Sequence, residues 1–208
     1  MDNAYYKKYI DTMYTGLNKS IFFTHNKNQN PIVFFKEIKS KLVKLNKNSS
    51  RIYFFGNGAS AAFANHMALD FSKNGKILSK SLSDNAMLTA LSNDYSYEAA
   101  MVEFLKMEKV TKDDLIITIS SSGNSENILN VLNYCRKNNI DSLALSGLKE
   151  DNKSLSIADY SIYVPMKTYG MVECIHQIFL HLILDDFMEI YEWDRKEVQN
   201  MSASNFKL

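Results

Sequence analysis

The stretch LIITISSSGNS, residues 115–125, combines an apolar run with a serine-rich turn. Residues 115–119 are apolar or β-branched, as expected for a buried strand of a parallel sheet. Four hydroxyl side chains follow: Ser120, Ser121, Ser122 and Ser125. Because helical periodicity begins at Glu126, these hydroxyls and the free amides of a helix start would form a neutral cradle for a phosphate. The alternative is a flexible polar turn in which Ser125 is only an N-cap.

Short apolar runs alternate with helical periods on both sides of this stretch. The strand candidates are residues 52–55, 77–78, 115–119, 142–145 and 160–164. This alternation predicts an α/β three-layer sandwich, in which helices cover both faces of a parallel five-stranded sheet. Ligands of such sheets bind outside the carboxyl ends of the strands, so the loops after the strands are the candidate functional loops.

Amphipathic helices are expected at both ends of the chain. Apolar residues three and four apart predict helices over residues 2 to about 23, after Pro31, and over about 170–193. The first two cannot bury their apolar stripes alone, and we favour packing on another subunit over packing on the following domain. We expect a single domain over residues 1–193, with a helical arm at 1–47, and a polar tail at 194–208.

Composition excludes several classes of protein. Among 208 residues, 46% are hydrophobic and the formal net charge is +1, so neither disorder nor nucleic-acid binding is indicated. No apolar run approaches the roughly 20 residues of a membrane-spanning helix. Two cysteines, Cys135 and Cys174, lack metal or redox spacing, which favours a reducing, cytoplasmic compartment and burial of both thiols.

A second candidate loop follows the first predicted strand, with the sequence Gly56-Asn57-Gly58-Ala59-Ser60. Glycines let backbone amides approach an anion, and the following helix start would favour an oxyanion or a sugar oxygen. A tight connection without function is an equal alternative. The glycines and lysine of a Rossmann or Walker A loop are missing.

Two pairs of ionisable residues lie at helical spacing. His66 and Asp70 are four residues apart, and Glu173 and His181 are eight apart, so each pair should share a helix face. Two histidines with two carboxylates suit a tetrahedral zinc site or a proton-transfer site. Either helix alone would be weak support, because a single histidine on an apolar helix is usually a satisfied core residue.

These motifs together resemble the sugar isomerase (SIS) family and, within it, the phosphoheptose isomerases. The resemblance covers about residues 51–189. Its specific marks are Gly56-Asn57-Gly58-Ala59-Ser60, Asn93-Asp94-Tyr95, the serine turn, and the pairing of Glu173 with His181.

The resemblance implies a flavodoxin-like fold and a homotetramer with sites between subunits. It implies interconversion of sedoheptulose 7-phosphate and D-glycero-D-manno-heptose 7-phosphate through an enediol, for heptose in surface polysaccharide. Proton transfer would fall to Asp70 and His181, with Glu173 as a further catalytic candidate. One zinc ion per site would be held by His66, Asp70, Glu173 and His181. The implied substrate-binding residues are Asn57, Gly58, Ser60, Asn93, Asp94, Ser120, Ser121, Ser122, Ser125 and Glu173.

Three positions depart from the family pattern. Asp70 stands where glutamate is usual, Glu173 where glutamine is usual, and Ala59 where glycine is frequent. The aspartate is one methylene shorter, so its carboxylate is displaced from where a glutamate would reach. Glu173 could take over as the base, or it could neutralise a bound zinc ion more completely than glutamine. Metal clamping and proton transfer by a free carboxylate therefore remain competing uses of the same four side chains.

Two other functional classes fit the same loops. One is a non-catalytic sugar-phosphate sensor, which is disfavoured because no helix-turn-helix is evident in these residues. The other is a lyase or etherase acting on an amino-sugar phosphate. At the level of single residues, Asp94 is either a hydroxyl-binding group or a helix cap.

Overall fold

A seven-stranded sheet lies at the centre of the computed structural model, which describes residues 3–194. The strands are β1 (Ile21–Thr24), β2 (Lys27–Gln29), β3 (Ile52–Gly56), β4 (Ser79–Ser81), β5 (Leu115–Ser120), β6 (Asp141–Gly147) and β7 (Tyr160–Val164). The helices are α1 (Asn3–Lys19), α2 (Pro31–Lys47), α3 (Ala59–Lys73), α4 (Asn85–Asp94), α5 (Tyr97–Met107), α6 (Glu126–Asn138), α7 (Lys153–Ile157) and α8 (Tyr169–Met188). A 3₁₀ turn at Glu192–Asp194 follows.

Five of the strands form the predicted parallel sheet, in the spatial order β4-β3-β5-β6-β7. This is the flavodoxin-like order, in which the chain reverses direction across the sheet between β3 and β5. The α/β class and the flavodoxin-like order are thus confirmed. The loops after β3 and β5 open at this switch point, where such folds bind their ligands.

The sheet has two strands more than the predicted five. Residues of β1 and β2 form an antiparallel hairpin, and β1 pairs antiparallel with β7 at the edge of the sheet. The predicted first helix therefore ends at Lys19 instead of continuing to about residue 23. The turn between β1 and β2 consists of His25 and Asn26, which have φ values of 47° and 61°. Positive φ at both central residues is typical of a two-residue hairpin turn.

Helices cover both faces of the sheet, each over its own apolar core. One core is built from α2, α3 and α8, with Phe34, Phe71 and Phe179 at its centre. The other is built from α4, α5 and α6, and includes Phe104 and Leu132. Because both faces are covered, all residues of β3 and β5 are buried, which explains their continuous apolar sequences.

The two N-terminal helices differ in where their apolar residues lie. Helix α2 buries Phe34, Ile38 and Leu42 in the core of its own chain, so the expectation that it packs on another subunit is wrong. Helix α1 contacts α8 and β7 but leaves Tyr6 and Tyr14 about two thirds exposed, at 64% and 68%. Helix α1 therefore leaves an apolar face exposed, whereas the core-facing residues of α2 are covered by its own chain.

Three smaller expectations need correction. Strand β4 begins at Ser79, two residues after the predicted start. Helix α8 ends at Met188, well before residue 193, because Glu189 adopts a left-handed conformation with φ of 57°. Cys135 is buried as predicted, but Cys174 is exposed, since it faces a groove described below.

Of the predicted tail, residues 195–208 lie outside the described residues. No helix of the described chain is long and apolar enough to cross a membrane.

Candidate active site

The loop after β3 brings its backbone close to the start of α3. A Cβ atom at Gly56 would lie 2.5 Å from the backbone of Ser60, so glycine is required for this turn. Gly58 has a φ of 56° and precedes the first residue of α3, Ala59, while Ser60 is buried. Ala59 lies at the start of the helix and is not among the residues with positive φ, so the missing glycine carries no backbone strain there.

The serine loop after β5 is a formed turn. The amide of Gly123 donates to the carbonyl of Ser120 at 2.9 Å, and Gly123 itself has a φ of 60°. Ser125 occupies the N-cap position of α6, but its side chain makes no capping hydrogen bond. The hydroxyl of Ser121 is buried and has no partner among the described residues. Among the described residues, only the hydroxyl of Ser122 is used in the turn, where it accepts from the amide of Asn124 at 3.2 Å. The other three predicted hydroxyls make no such bond, which fits the cradle better than the bare N-cap alternative.

The two loops meet at one small pocket of about 110 Å³. It is lined by Asn57, Ser60, Ile119, Ser120, Ser121, Ser122, Ser125, Tyr169 and Glu173. Hydroxyls and amides dominate this lining, and no lysine or arginine is part of it. The pocket lies at the start of two helices, α3 and α6, whose amides favour an anion. Tyr169, one turn before Glu173 on α8, was not identified from the sequence.

Three of the four predicted acid-base residues form a cluster. His66, Asp70 and His181 each offer a ligand atom, and these atoms lie within 4.8 Å of one another. Nε2 of His66 is 3.3 Å from Oδ2 of Asp70, and the rings of His66 and His181 have centroids 5.3 Å apart. The approach of α3 to α8, which the resemblance to the SIS family implied, is therefore present in the structure.

Glu173 is not part of this cluster but lines the serine pocket. The reason is the helix rise, since eight residues of α8 separate Glu173 from His181 by about 12 Å along the axis. In the structure the two side chains line different cavities, Glu173 the serine pocket and His181 the apolar groove. The eight-residue spacing therefore does not bring both side chains of one chain to a single ion.

The cluster is adjacent to a glutamine that the sequence reading did not identify. Nε2 of Gln177 lies 2.8 Å from Nε2 of His181 and 3.3 Å from the sulfur of Met67. Oε1 of Gln177 is buried and has no partner within residues 3–194. Gln177 stands one helical turn before His181, so the four-residue spacing was an available signal.

A second missed residue, His176, links α8 to the sheet. Its ring is completely buried, and Nε2 lies 3.0 Å from the carbonyl oxygen of Ser146 at the end of β6. Burial lowers the pKa of His176 to about 4, so the ring is neutral at physiological pH. It fixes α8 against the strand that pairs with Ser120 of the serine loop.

Asn93 and Asp94 lie apart from the serine pocket. Both are exposed at the end of α4, where Nδ2 of Asn93 donates to Oδ1 of Asp94 at 3.0 Å. Neither residue is among those lining the pocket, and neither belongs to the histidine cluster. Their predicted contact with substrate stays a prediction.

A large apolar groove borders the cluster on its open side, with a volume of about 950 Å³. His181, Gln177 and Cys174 form part of its wall. Its exposed apolar residues include Ile178, Leu182 and Trp193. The histidine cluster is thus open to the surface at an apolar face.

Comparison with known proteins agrees with this geometry. The family model for the SIS domain matches residues 35–147. A phosphoheptose isomerase of Campylobacter jejuni is 34% identical over 76% of this chain and 80% of its own length. A phosphoheptose isomerase of Aneurinibacillus thermoaerophilus is 32% identical, over 71% and 77%. The chain belongs to the SIS domain family, in its phosphoheptose isomerase branch.

A solved member of this branch shares the fold over most of this chain. The phosphoheptose isomerase of Francisella tularensis superposes with a TM-score of 0.75 at 20% identity, covering 91% of this chain and 96% of its own. The coverage includes more than the segment matched by the SIS family model. The α/β architecture around the two loops is therefore that of the family.

Proposed function

We propose that this protein is an aldose-ketose isomerase that interconverts sedoheptulose 7-phosphate and D-glycero-D-manno-heptose 7-phosphate. The observation that carries the proposal is the cluster of His66, Asp70 and His181, formed by two helices of the same fold that holds the serine pocket. A phosphate cradle alone would suit any sugar-phosphate binder. A cradle combined with clustered acid-base groups supports proton transfer on the bound sugar.

The serine pocket is the proposed phosphate site. Hydroxyls of Ser120, Ser122 and Ser125 and the amides at the start of α6 would donate to phosphate oxygens. Since no cationic side chain lines the pocket, binding rests on neutral donors and helix dipoles. This arrangement suits a substrate that must be released after each turnover.

Asp70 and His181 are the proposed proton-transfer pair. The carboxylate of Asp70 is held by His66 at 3.3 Å and by Nδ2 of Asn74 at 3.4 Å, which fixes its position. From there it would move a proton between C1 and C2 of the open-chain sugar. His181 would stabilise the charge that develops on oxygen in the enediol.

The same three residues fit a zinc ion. Zinc binds nitrogen and oxygen ligands at about 2.0–2.1 Å, which places the ligand atoms of a tetrahedral site roughly 3.3 Å apart. The ligand atoms of the three residues lie within 4.8 Å of one another, so the widest pair would have to approach by roughly 1.5 Å at most. Catalytic zinc sites commonly use three protein ligands and leave one position open. When bound there, the ion would polarise the carbonyl oxygen of the sugar. Metal clamping and free-carboxylate catalysis remain alternative uses of Asp70.

We also propose a homotetramer with sites between subunits. One chain holds Glu173 and His181 about 12 Å apart, so a four-residue set requires Glu173 from a second copy. The apolar groove beside His181 and the exposed face of α1 are surfaces that a second copy would cover. Each complete site would then combine the serine pocket of one subunit with the histidine cluster of another.

The proposed setting is the cytoplasm, in heptose synthesis for surface polysaccharide. The thiols of Cys135 and Cys174 are free, which agrees with a reducing compartment. The proposal treats residues 1–193 as one domain, because α1 and α2 both contact elements of the sheet or α8.

Product analysis tests the proposal. The purified chain is incubated with sedoheptulose 7-phosphate, and with a panel of pentose, hexose and amino-sugar phosphates, with and without added zinc. Formation of the heptose aldose in excess over any other product is the expected result. Loss of a substituent from an amino-sugar phosphate would support the lyase, and saturable binding without turnover of any sugar would support the sensor.

A further inference from the structure

Asn57 is held by a hydrogen-bond network that joins three elements. Its Oδ1 accepts from the hydroxyl of Tyr97 at 2.8 Å and from Nδ2 of Asn127 at 2.8 Å. Its Nδ2 donates back to Oδ1 of Asn127 at 3.0 Å. The loop after β3, the start of α5 and the start of α6 are thereby connected through a single side chain.

A backbone amide fixes the direction of every bond in this network. The amide of Ile128 can only donate, and it lies 3.0 Å from the Asn127 side chain, so the atom facing it must be the oxygen. The Asn57 atom opposite this oxygen must then be the nitrogen. It follows that the oxygen of Asn57 faces the nitrogen of Asn127 and the hydroxyl of Tyr97.

This orientation determines what Asn57 can offer to a ligand. Both lone pairs of its oxygen are engaged, by Tyr97 and Asn127, and one of its two amide hydrogens is engaged as well. One N–H remains in a residue that lines the serine pocket. Asn57 therefore has one donor left for a ligand in the pocket that it lines, and no free acceptor.

We infer that Tyr97 and Asn127 are positioning residues that hold Asn57 as a hydrogen-bond donor to an acceptor oxygen of the bound sugar phosphate. This inference rests on the proposed function for its substrate, but the serine pocket alone is enough to test it. Neither residue lines the pocket, so both act through Asn57. Tyr97 is 47% exposed, so it is not a core-packing residue, and its hydroxyl bonds to Asn57.

A double-mutant cycle tests the inference. Dissociation constants for inorganic phosphate and for sedoheptulose 7-phosphate are measured by calorimetry for the wild type, Tyr97→Phe, Asn57→Ala and the double variant. Losing one positioning hydrogen bond should weaken binding by about 3- to 10-fold in Tyr97→Phe. In the Asn57→Ala background the same change should have no further effect, because the donor that Tyr97 positions is gone. An additive effect would overturn the inference.

The ligands and a control separate the remaining outcomes. Weaker binding of both ligands places the acceptor oxygen on the phosphate, and weaker binding of the sugar phosphate alone places it on the sugar. The control variant is Tyr134→Phe, because the hydroxyl of Tyr134 makes no hydrogen bond within residues 3–194. This variant should bind both ligands as the wild type does. Unchanged binding in Tyr97→Phe would overturn the inference.

Enzymatic turnover is measured separately from ligand binding. A wild type that binds without turnover refutes the isomerase but not the positioning role, whereas a wild type that binds neither ligand refutes both. Unchanged melting temperatures of Tyr97→Phe and Tyr134→Phe would show that the binding change does not come from unfolding.

Discussion

Asp70 and His181 are the side chains on which the proposed chemistry depends. Both belong to the cluster, and Asp70 is held in place by His66. Asp70→Asn and His181→Ala should each lower kcat by at least about 10²-fold, since each removes a positioned acid-base group. The control is His25→Ala in the β1–β2 turn, which should keep kcat within about twofold of the wild type. Full turnover in either cluster variant would remove the acid-base assignment.

Glu173 places a carboxylate in the proposed phosphate pocket. A negative charge there opposes an anion, so Glu173→Gln should tighten the binding of inorganic phosphate by up to about tenfold. The same variant distinguishes the two roles left open for this residue. If Glu173 is the base, kcat falls; if it neutralises a bound zinc ion and so weakens its Lewis acidity, kcat is retained or rises. Calorimetry with phosphate measures the first effect, and Glu37→Gln on α2 is the remote control. Weaker phosphate binding in Glu173→Gln would contradict this electrostatic argument.

Single residues were predictable where the chemistry is local. The serine loop and the pair His66 and Asp70 followed from residue type and helical spacing, and the approach of His181 to that pair was implied by the resemblance to the SIS family. Asn127 was missed because an amide carries no sign of its partner until the fold is known. Gln177 was missed although its four-residue spacing to His181 was visible in the sequence. The 12 Å between Glu173 and His181 was overlooked because a shared face does not mean a shared height along the helix.

At the level of elements, His176 connects α8 to β6 through a buried, neutral ring. Its folded-state pKa of about 4 lies below the ordinary value of 6.5, so the unfolded chain binds more protons between these values. Stability should therefore be intact above pH 6.5 and fall as the pH drops toward 4. Between pH 7 and pH 5 this residue should remove about 2 kcal/mol from the free energy of unfolding.

Urea unfolding of the wild type and His176→Gln at both pH values measures this contribution. The variant should be less stable at pH 7 and should lose less stability than the wild type on going to pH 5. Ile32→Ala, which shortens an exposed apolar side chain of α2 and removes no titratable group, should keep the pH dependence of the wild type. An identical pH dependence in His176→Gln and the wild type would show that the ring is not buried neutral.

The elements were predicted unevenly, for physical reasons. The central strands β3 and β5 are continuous apolar runs buried on both faces, and their sequences are unambiguous. The β1–β2 hairpin was missed because its strands have four and three residues and its turn uses His25 and Asn26 in place of glycine. Its apolar residues continued the periodicity of α1, so Phe22 was assigned to the helix although it belongs to a strand.

For the whole molecule, the groove along α8 is the surface on which the proposed tetramer depends. Ile178 and Leu182 are 38% and 39% exposed there, beside His181. A charge in this groove should dissociate the proposed tetramer, so Ile178→Asp should shift the mass measured by light scattering toward the monomer. Ile32→Asp, at an exposed apolar residue of α2 outside the groove, should leave the mass unchanged. A tetramer that survives Ile178→Asp, or a wild-type monomer, would contradict the assembly.

The central claim is proton transfer between C1 and C2 of a bound heptose phosphate, and NMR of the sugar in deuterated water tests it most directly. With sedoheptulose 7-phosphate and the wild-type protein, deuterium should enter C1 of the ketose or C2 of the newly formed aldose. Asp70→Asn should abolish this incorporation. Recovery of unchanged ketose from the wild-type reaction, with no deuterium and no aldose, would contradict the account.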